Sequence, residues 1–267
     1  MTEKHMGSAG ASKDATDHDR IFELLALLTP WDIDLDKFRI GRRGDGGYVA
    51  ADQLHPKQAI LSYGISNEVS FDLEMAEAGF KVWQFDHTID GAPVVHDNLI
   101  FHKEGVAGRD RPEEKLFTVE SHAERFGINL DGAILKMDVE GSEWDVFSTM
   151  PETVLAKFDQ IYVEFHGLAR IARPRFAPVF KVVMEKLNRH FTLFHVHANN
   201  ARPLVQIENY VTPGLLEASF IRTELVDRSA SNTWYPTELD EPNMRNRPDL
   251  NLWLFPFAPR PSDPLSR

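Results

Sequence analysis

The stretch AILSYGISNEVSFDLEMAEAGFKVWQFDH, residues 59–87, contains the pattern that decides the fold. Residues 59–65 are a run typical of a buried strand, and residues 81–87 are predicted to form a second strand. Between them, VSFDLEMAEAG carries apolar residues at mixed helical spacing and stops at Gly79. Because parallel strands are joined by a crossover connection that is usually a helix, the stretch predicts a βαβ unit.

The same alternation of strands and helices continues along the chain. Helical residues are predicted at 178–190, where apolar residues share one face, and the further strand candidates are residues 99–107, 132–140, 160–166 and 191–197. This order predicts an α/β fold with a doubly wound, mainly parallel sheet. The segments VQIENY (205–210) and LEASFIRTEL (216–225) then flank a turn without an intervening helix, which predicts an antiparallel hairpin at the sheet edge.

Composition limits the classes of partner. The chain has 267 residues, of which 42% are hydrophobic, and its net charge of −12 disfavours binding to nucleic acid or to anionic lipid. No apolar run approaches the ~20 residues of a membrane span, so we expect a cytoplasmic protein with a small-molecule partner. A single domain is predicted over residues 19–256, between a polar, disordered tail at 1–18 and a Pro-rich tail at 257–267.

The first predicted strand leads into a turn at the place where a Rossmann-like sheet binds its cofactor. Gly64 permits the turn, but Ser66 occupies the second glycine position of G-x-G-x-x-G and Glu68 stands at the helix start. A pyrophosphate would meet a carboxylate there, whereas S-adenosylmethionine (SAM) carries cationic sulfonium and ammonium groups that suit it. Asp86 follows Gly64 by 22 residues (86 − 64), close to the ~20-residue spacing of an acid that binds ribose hydroxyls. The predicted cofactor-binding residues at this turn and at the end of the second strand are Tyr63, Gly64, Ser66 and Asp86.

Pairs of polar residues end the later strands. Because residues i and i+2 face the same side of a strand, each pair offers two polar groups to one side; the pairs are Asp138 and Glu140, Glu164 and His166, and His195 and His197. Buried polar groups are costly unless they are paired. We therefore expect these side chains to converge on the ligand crevice of the sheet.

At these positions the sequence resembles the FkbM-type SAM-dependent methyltransferases, including the methyltransferase-domain-24-like group. The resemblance rests on LKMDVEGSE (135–143), which is similar to a K-x-D-x-E-G-x-E signature, and is supported by RIG (39–41) with DGGY (45–48), VEFH (163–166) and HVHANN (195–200). It spans about residues 39–255. The resemblance implies a class I methyltransferase fold of about seven strands whose last strand is antiparallel, with SAM as cofactor and Asp138 near both cofactor and acceptor.

The leading hypothesis is a SAM-dependent methyltransferase that methylates an oxygen, or less favourably a nitrogen, of a small molecule such as a saccharide or secondary metabolite. The predicted catalytic residues are Asp138, Glu164, His166 and His197, with the two histidines as candidate bases. A divalent metal would be held by Asp138, Glu164 and His166, since the chain has no cysteine and any ion must rest on His, Asp and Glu. Two alternatives are a metal-dependent hydrolase or oxygenase that works without SAM, and a non-catalytic binding module that keeps the methyltransferase core.

Overall fold

A computed structural model describes residues 19–260. The predicted tail at residues 1–18 lies outside the described residues, as do residues 261–267 of the predicted Pro-rich tail. Phe257 is fully buried in the main core, and the guanidinium of Arg260 lies 4.6 Å from the ring centre of Trp31. The packed part of the chain therefore continues past the predicted boundary at residue 256.

The bounds of the elements follow the chain order. The helices are α1 (19–26), α2 (Ser70–Glu77), α3 (Val119–Phe126), α4 (Glu143–Thr149), α5 (Glu152–Leu155) and α6 (Ala177–His190), with 3-10 turns at Pro112–Glu114, Leu168–Ala172 and Thr223–Leu225. The strands are β1 (Trp31–Ile33), β2 (Lys37–Ile40), β3 (Tyr48–Ala51), β4 (Ala59–Tyr63), β5 (Lys81–Phe85), β6 (Leu99–His102), β7 (Gly105–Val106), β8 (Leu116–Phe117), β9 (Ala133–Met137), β10 (Phe158–His166), β11 (Phe191–Ala198), β12 (Leu204–Ile207), β13 (Tyr210–Pro213), β14 (Leu215–Arg222) and β15 (Arg228–Ala230).

Seven strands form the central sheet in the order β6-β5-β4-β9-β10-β14-β11. Each described pairing from β6 to β10 is parallel, and β14 runs antiparallel to both of its neighbours. This is a class I methyltransferase-like α/β fold, and it confirms the predicted doubly wound sheet with an antiparallel strand late in the chain. The strand order also places β4 at the centre, next to β5 and β9, where ligands bind such sheets.

The predicted hairpin at the sheet edge is wrong. β12 and β13 pair with each other as a separate two-stranded sheet, and β14 returns between β10 and β11. Six of the eight residues of β14 are buried, so this strand is covered on both faces and is unsuited to an edge, where unpaired backbone groups would meet water.

Two hydrophobic clusters cover the two faces of the sheet. Leu61 and Tyr63 of β4 lie in the larger cluster, with residues of α1, α3, α4 and α6, whereas Ile60 lies in the smaller cluster, with residues of α2. Because alternate residues of one strand face opposite sides, both faces must be apolar, and all five residues of β4 are buried. Within residues 19–260, none of the helices combines the length and the apolar character needed to cross a membrane.

Candidate functional site

A cavity of about 460 Å³ opens at the carboxyl ends of β4 and β5, a volume within the ~300–1,000 Å³ typical of small-molecule sites. Its apolar lining includes Phe85, Val106 and Leu116, from β5, β7 and β8. Five carboxylates line it, against the cations of Arg111 and Lys136; the acids are Asp45, Glu68, Asp86, Asp138 and Glu140. The cavity thus combines an apolar wall with an excess of negative charge.

The turn after β4 needs a glycine at residue 64. Gly64 has φ +74°, and a Cβ placed there would lie 1.6 Å from the backbone oxygen of Asp138. The main chains of β4 and β9 approach closely here, because the amide of Asp138 donates to the carbonyl of Tyr63 at 3.0 Å. Ser66 also has a positive φ of 48° and, like Gly64, lines the cavity.

Asp86 lies at the cavity wall, with both carboxylate oxygens already hydrogen-bonded to the protein. Oδ2 accepts from the amides of Ile65 and Ser66 at 3.0 and 2.8 Å, and Oδ1 accepts from the amide and hydroxyl of Thr88 at 2.8 and 2.6 Å. Burial raises the pKa of Asp86, but these hydrogen bonds outweigh it and the net pKa is lowered. The carboxylate therefore fastens the turn at residues 64–66 to the end of β5, in addition to any contact with a ligand. We call these residues the cofactor turn, after their predicted role.

The structure turns the side chain of Tyr63 away from the predicted cofactor site and into the core. Its ring stacks on Phe85 with centroids 5.0 Å apart, and its hydroxyl lies 3.2 Å from Nδ1 of His122. The physical reason is the strand period: Tyr63 follows Leu61 by two residues and shares its buried face. Only the backbone of Tyr63 contributes to the turn.

The imidazole of His166 is surrounded by four carboxylates. Nδ1 lies 3.0 Å from Glu143 Oε1, and Nε2 lies 3.1 Å from Glu164 Oε2, 3.3 Å from Glu140 Oε2 and 3.9 Å from Asp138 Oδ1. We call this set, Asp138, Glu140, Glu143, Glu164 and His166, the His166 cluster. Parallel pairing assembles it, since Met137 of β9 lies opposite Val163 of β10 and the polar residues follow these two positions. The structure thus brings Asp138, Glu164 and His166 together and adds Glu140 and Glu143.

The charges of the His166 cluster set its protonation. Burial lowers the pKa of His166, but hydrogen bonds to Glu143 and Glu164 and the charges of these acids raise it to about 11. In this protonation state the ring has no free lone pair, and the predicted role of His166 as a base stays a prediction. Burial and the charge of Glu164 raise the pKa of Asp138, while the positive charge and hydrogen bond of His166 outweigh burial at Glu164 and lower its pKa.

His197 lies in a separate buried ion network. Its Nδ1 is 2.9 Å from Glu217 Oε2 and its Nε2 is 3.1 Å from Asp249. Burial lowers the pKa of His197, but Glu217 and Asp249 raise it to about 10. Both ring nitrogens thus face carboxylates. The contact of His197 with Asp249, together with that of His195 with Asp240 at 2.8 Å, fastens residues 240–249 to the sheet. The predicted role of His197 as a base stays a prediction.

Glu143 is a functional candidate that the sequence reasoning did not place in the site. It is fully buried, and its Oε1 accepts from the amides of Val139 and Gly141 at 3.0 and 3.2 Å as well as facing His166. The signature at residues 135–143 contains it, but a Glu at the start of a helix is more often a surface residue. Lys136, also buried, donates to the carbonyl of Gly64 at 3.0 Å and so supports the cofactor turn.

The chain is distantly similar to curated proteins described as "probable methyltransferase-like protein 24". The rat protein is 27% identical over 197 residues, covering 66% of this chain and 51% of the relative, and the human protein is 26% identical over 198 residues, covering 65% and 50%. The chain therefore spans about half the length of the curated relatives it matches. No protein-family model matches the chain.

Among solved structures, a mutant of the 16S rRNA (adenine(1408)-N(1))-methyltransferase from Catenulisporales acidiphilia aligns over 72% of this chain and 99% of its own, with a TM-score of 0.30 and 12% identity.

Proposed function

We propose that this protein transfers a methyl group from SAM to a hydroxyl oxygen of a small molecule, such as a saccharide or secondary metabolite. The observation that carries the proposal is the cavity at the carboxyl ends of β4 and β5 in a sheet of class I methyltransferase topology, lined by five carboxylates and an apolar wall. The similarity to methyltransferase-like proteins, which covers 66% and 65% of the chain, supports it.

The cavity fits SAM by its chemistry. SAM supplies a methyl group on a sulfonium sulfur, and its two cationic centres favour a site with excess negative charge. Phe85, Val106 and Leu116 offer the apolar surface that an adenine ring needs, while Gly64 and Ser66 shape the turn beside it. Lys136 and Asp86 hold that turn in place through their bonds to the backbone.

Asp138 is the residue we assign to the acceptor. It lines the cavity and also belongs to the His166 cluster, so it lies between the cofactor site and the buried polar groups. SAM bound in the cavity would supply its methyl carbon to the acceptor oxygen, and the electron pair of the broken sulfur–carbon bond would stay on sulfur. The hydroxyl proton passes to the carboxyl pair of Asp138 and Glu164, which both face Nε2 of His166.

Titration calorimetry of the whole protein with SAM, and with its demethylated product, tests the cofactor half of the proposal. We expect saturable binding at one site per chain. Heat indistinguishable from the buffer blank with both compounds would reject the proposal in favour of a function without SAM.

Transfer of a radiolabelled methyl group to panels of hydroxylated and aminated small molecules tests the acceptor half. D138N should lower turnover about 10²-fold while SAM affinity stays within a few-fold, since the loss falls on proton transfer. D131N is the matched control, because Asp131 is an exposed acid, 76% accessible, that pairs only loosely with Lys157 at 3.8 Å. Methylation of amines alone would replace oxygen by nitrogen as the acceptor atom.

A further inference from the structure

The His166 cluster presents three potential metal ligands to one point. One oxygen each from Asp138 and Glu140 and one nitrogen of His166 lie within 4.8 Å of one another. An octahedral ion with bonds of about 2.1 Å separates adjacent ligands by about 3 Å and opposite ligands by about 4.2 Å. The distances of 3.3 and 3.9 Å from Nε2 to Glu140 and Asp138 lie within that range.

We propose that Asp138, Glu140 and His166 bind a divalent transition-metal cation, with Glu164 beside it. The binding stands independently of methyl transfer, and only the role we give the ion rests on the proposed function. A single imidazole with carboxylates suits Mn²⁺, Fe²⁺ or Zn²⁺.

The orientation of His166 supports this assignment. Glu143, fully buried, faces Nδ1 at 3.0 Å, and Trp144 donates from Nε1 to the backbone oxygen of His166 at 2.8 Å. Metal-binding histidines characteristically use their second nitrogen in this way, with a carboxylate that fixes the ring and increases its basicity. Nε2 is thereby directed at Asp138, Glu140 and Glu164.

An independent observation concerns Asp138. Its Oδ1 is buried and accepts no hydrogen bond from the residues that the structure describes, although burying an acceptor without a partner is costly. Oδ1 is the same atom that lies nearest to Nε2 of His166. A cation at this point would provide the partner that this oxygen lacks.

Charge balance favours the same conclusion. Four carboxylates surround the imidazole at 3.0–3.9 Å, and a dication among them would offset this concentration of negative charge. Asp138 and Glu140 also line the cofactor cavity. An ion held by them would contact an acceptor hydroxyl there and lower its pKa, and Glu164 would be left to accept the proton.

The test uses the full chain, freed of metal by dialysis against chelator and titrated with MnCl₂ in the absence of SAM, with free Mn²⁺ followed by electron paramagnetic resonance. We expect one saturable site per chain. E140Q should weaken binding at least 10-fold and should fold normally, because the Glu140 carboxylate is 89% exposed. D131N, which alters another exposed acid, should bind Mn²⁺ as the unmodified chain does.

Three outcomes decide the matter. Loss of affinity in E140Q, with D131N unaffected, supports the site. Absence of saturable Mn²⁺ binding, or equal affinity in E140Q and the unmodified chain, overturns it. SAM calorimetry on the same preparations separates the two proposals, since SAM binding without Mn²⁺ binding removes only the metal, and the converse removes only the methyltransferase assignment.

Discussion

Replacing Gly64 by Ala should disrupt the cofactor turn more severely than its small size suggests. Gly64 has φ +74°, which costs an L-residue roughly 1–2 kcal/mol, and its added Cβ would lie 1.6 Å from the Asp138 oxygen. Contacts below 3.0 Å are essentially never seen for Cβ atoms, so the two main chains must separate by about 1.4 Å (3.0 − 1.6). That separation would lengthen and weaken the hydrogen bond from the Asp138 amide to the carbonyl of Tyr63, where β4 pairs with β9. We expect a loss of about 3–5 kcal/mol in the free energy of unfolding.

Gly127 provides the matched control for this substitution. It also has a positive φ, of 64°, but none of the described residues places an atom within 4 Å of its added Cβ. G127A should therefore cost only about 1–2 kcal/mol, from backbone strain alone. Urea denaturation of both variants measures the difference, and calorimetry should show SAM affinity reduced in G64A alone. Equal destabilisation by the two substitutions would refute the close approach of β4 and β9 as the reason for Gly64.

Two further predictions concern Asp86 and His197. D86N should weaken SAM binding by ~1.5–3 kcal/mol in calorimetry, because an amide has one oxygen and its NH₂ group would face either the amides of the turn or the donors of Thr88; unchanged affinity would remove Asp86 from the site. His197, with a folded pKa of about 10 against an ordinary 6.5, should stabilise the protein fully below pH 6.5 and lose that contribution as the pH rises to 10. Denaturation across this range should show that the free energy of unfolding falls by about 2–4 kcal/mol more in the unmodified chain than in H197Q. Parallel curves for the two proteins would contradict the charged state of His197.

The types of the main elements could be predicted from the sequence because the decisive signals are local. The run at 59–63 is mostly apolar and buried throughout, as a strand covered on both faces must be, and residues 81–85 form the next strand of the same unit. Residues 178–190 form one helix with a single apolar face, as α6 is. The position of β14 could not be predicted in this way, since the pattern of a strand shows that it is buried but not which strands it lies between.

For the candidate site, too, the sequence predicted where residues lie but not which contacts they make. The sequence by itself placed polar residues at the carboxyl ends of β9 and β10, because strand ends and residue types are properties of short segments. Only the tertiary structure decided the protonation of these residues, because the pKa of His166 depends on its contacts with Glu143 and Glu164. These acids come from different elements, and their charges act over a few ångströms of low-dielectric interior that no local pattern describes. Tyr63 likewise stacks on Phe85, and Asp86 accepts from the amides of Ile65 and Ser66, because β4 and β5 lie side by side in the assembled sheet.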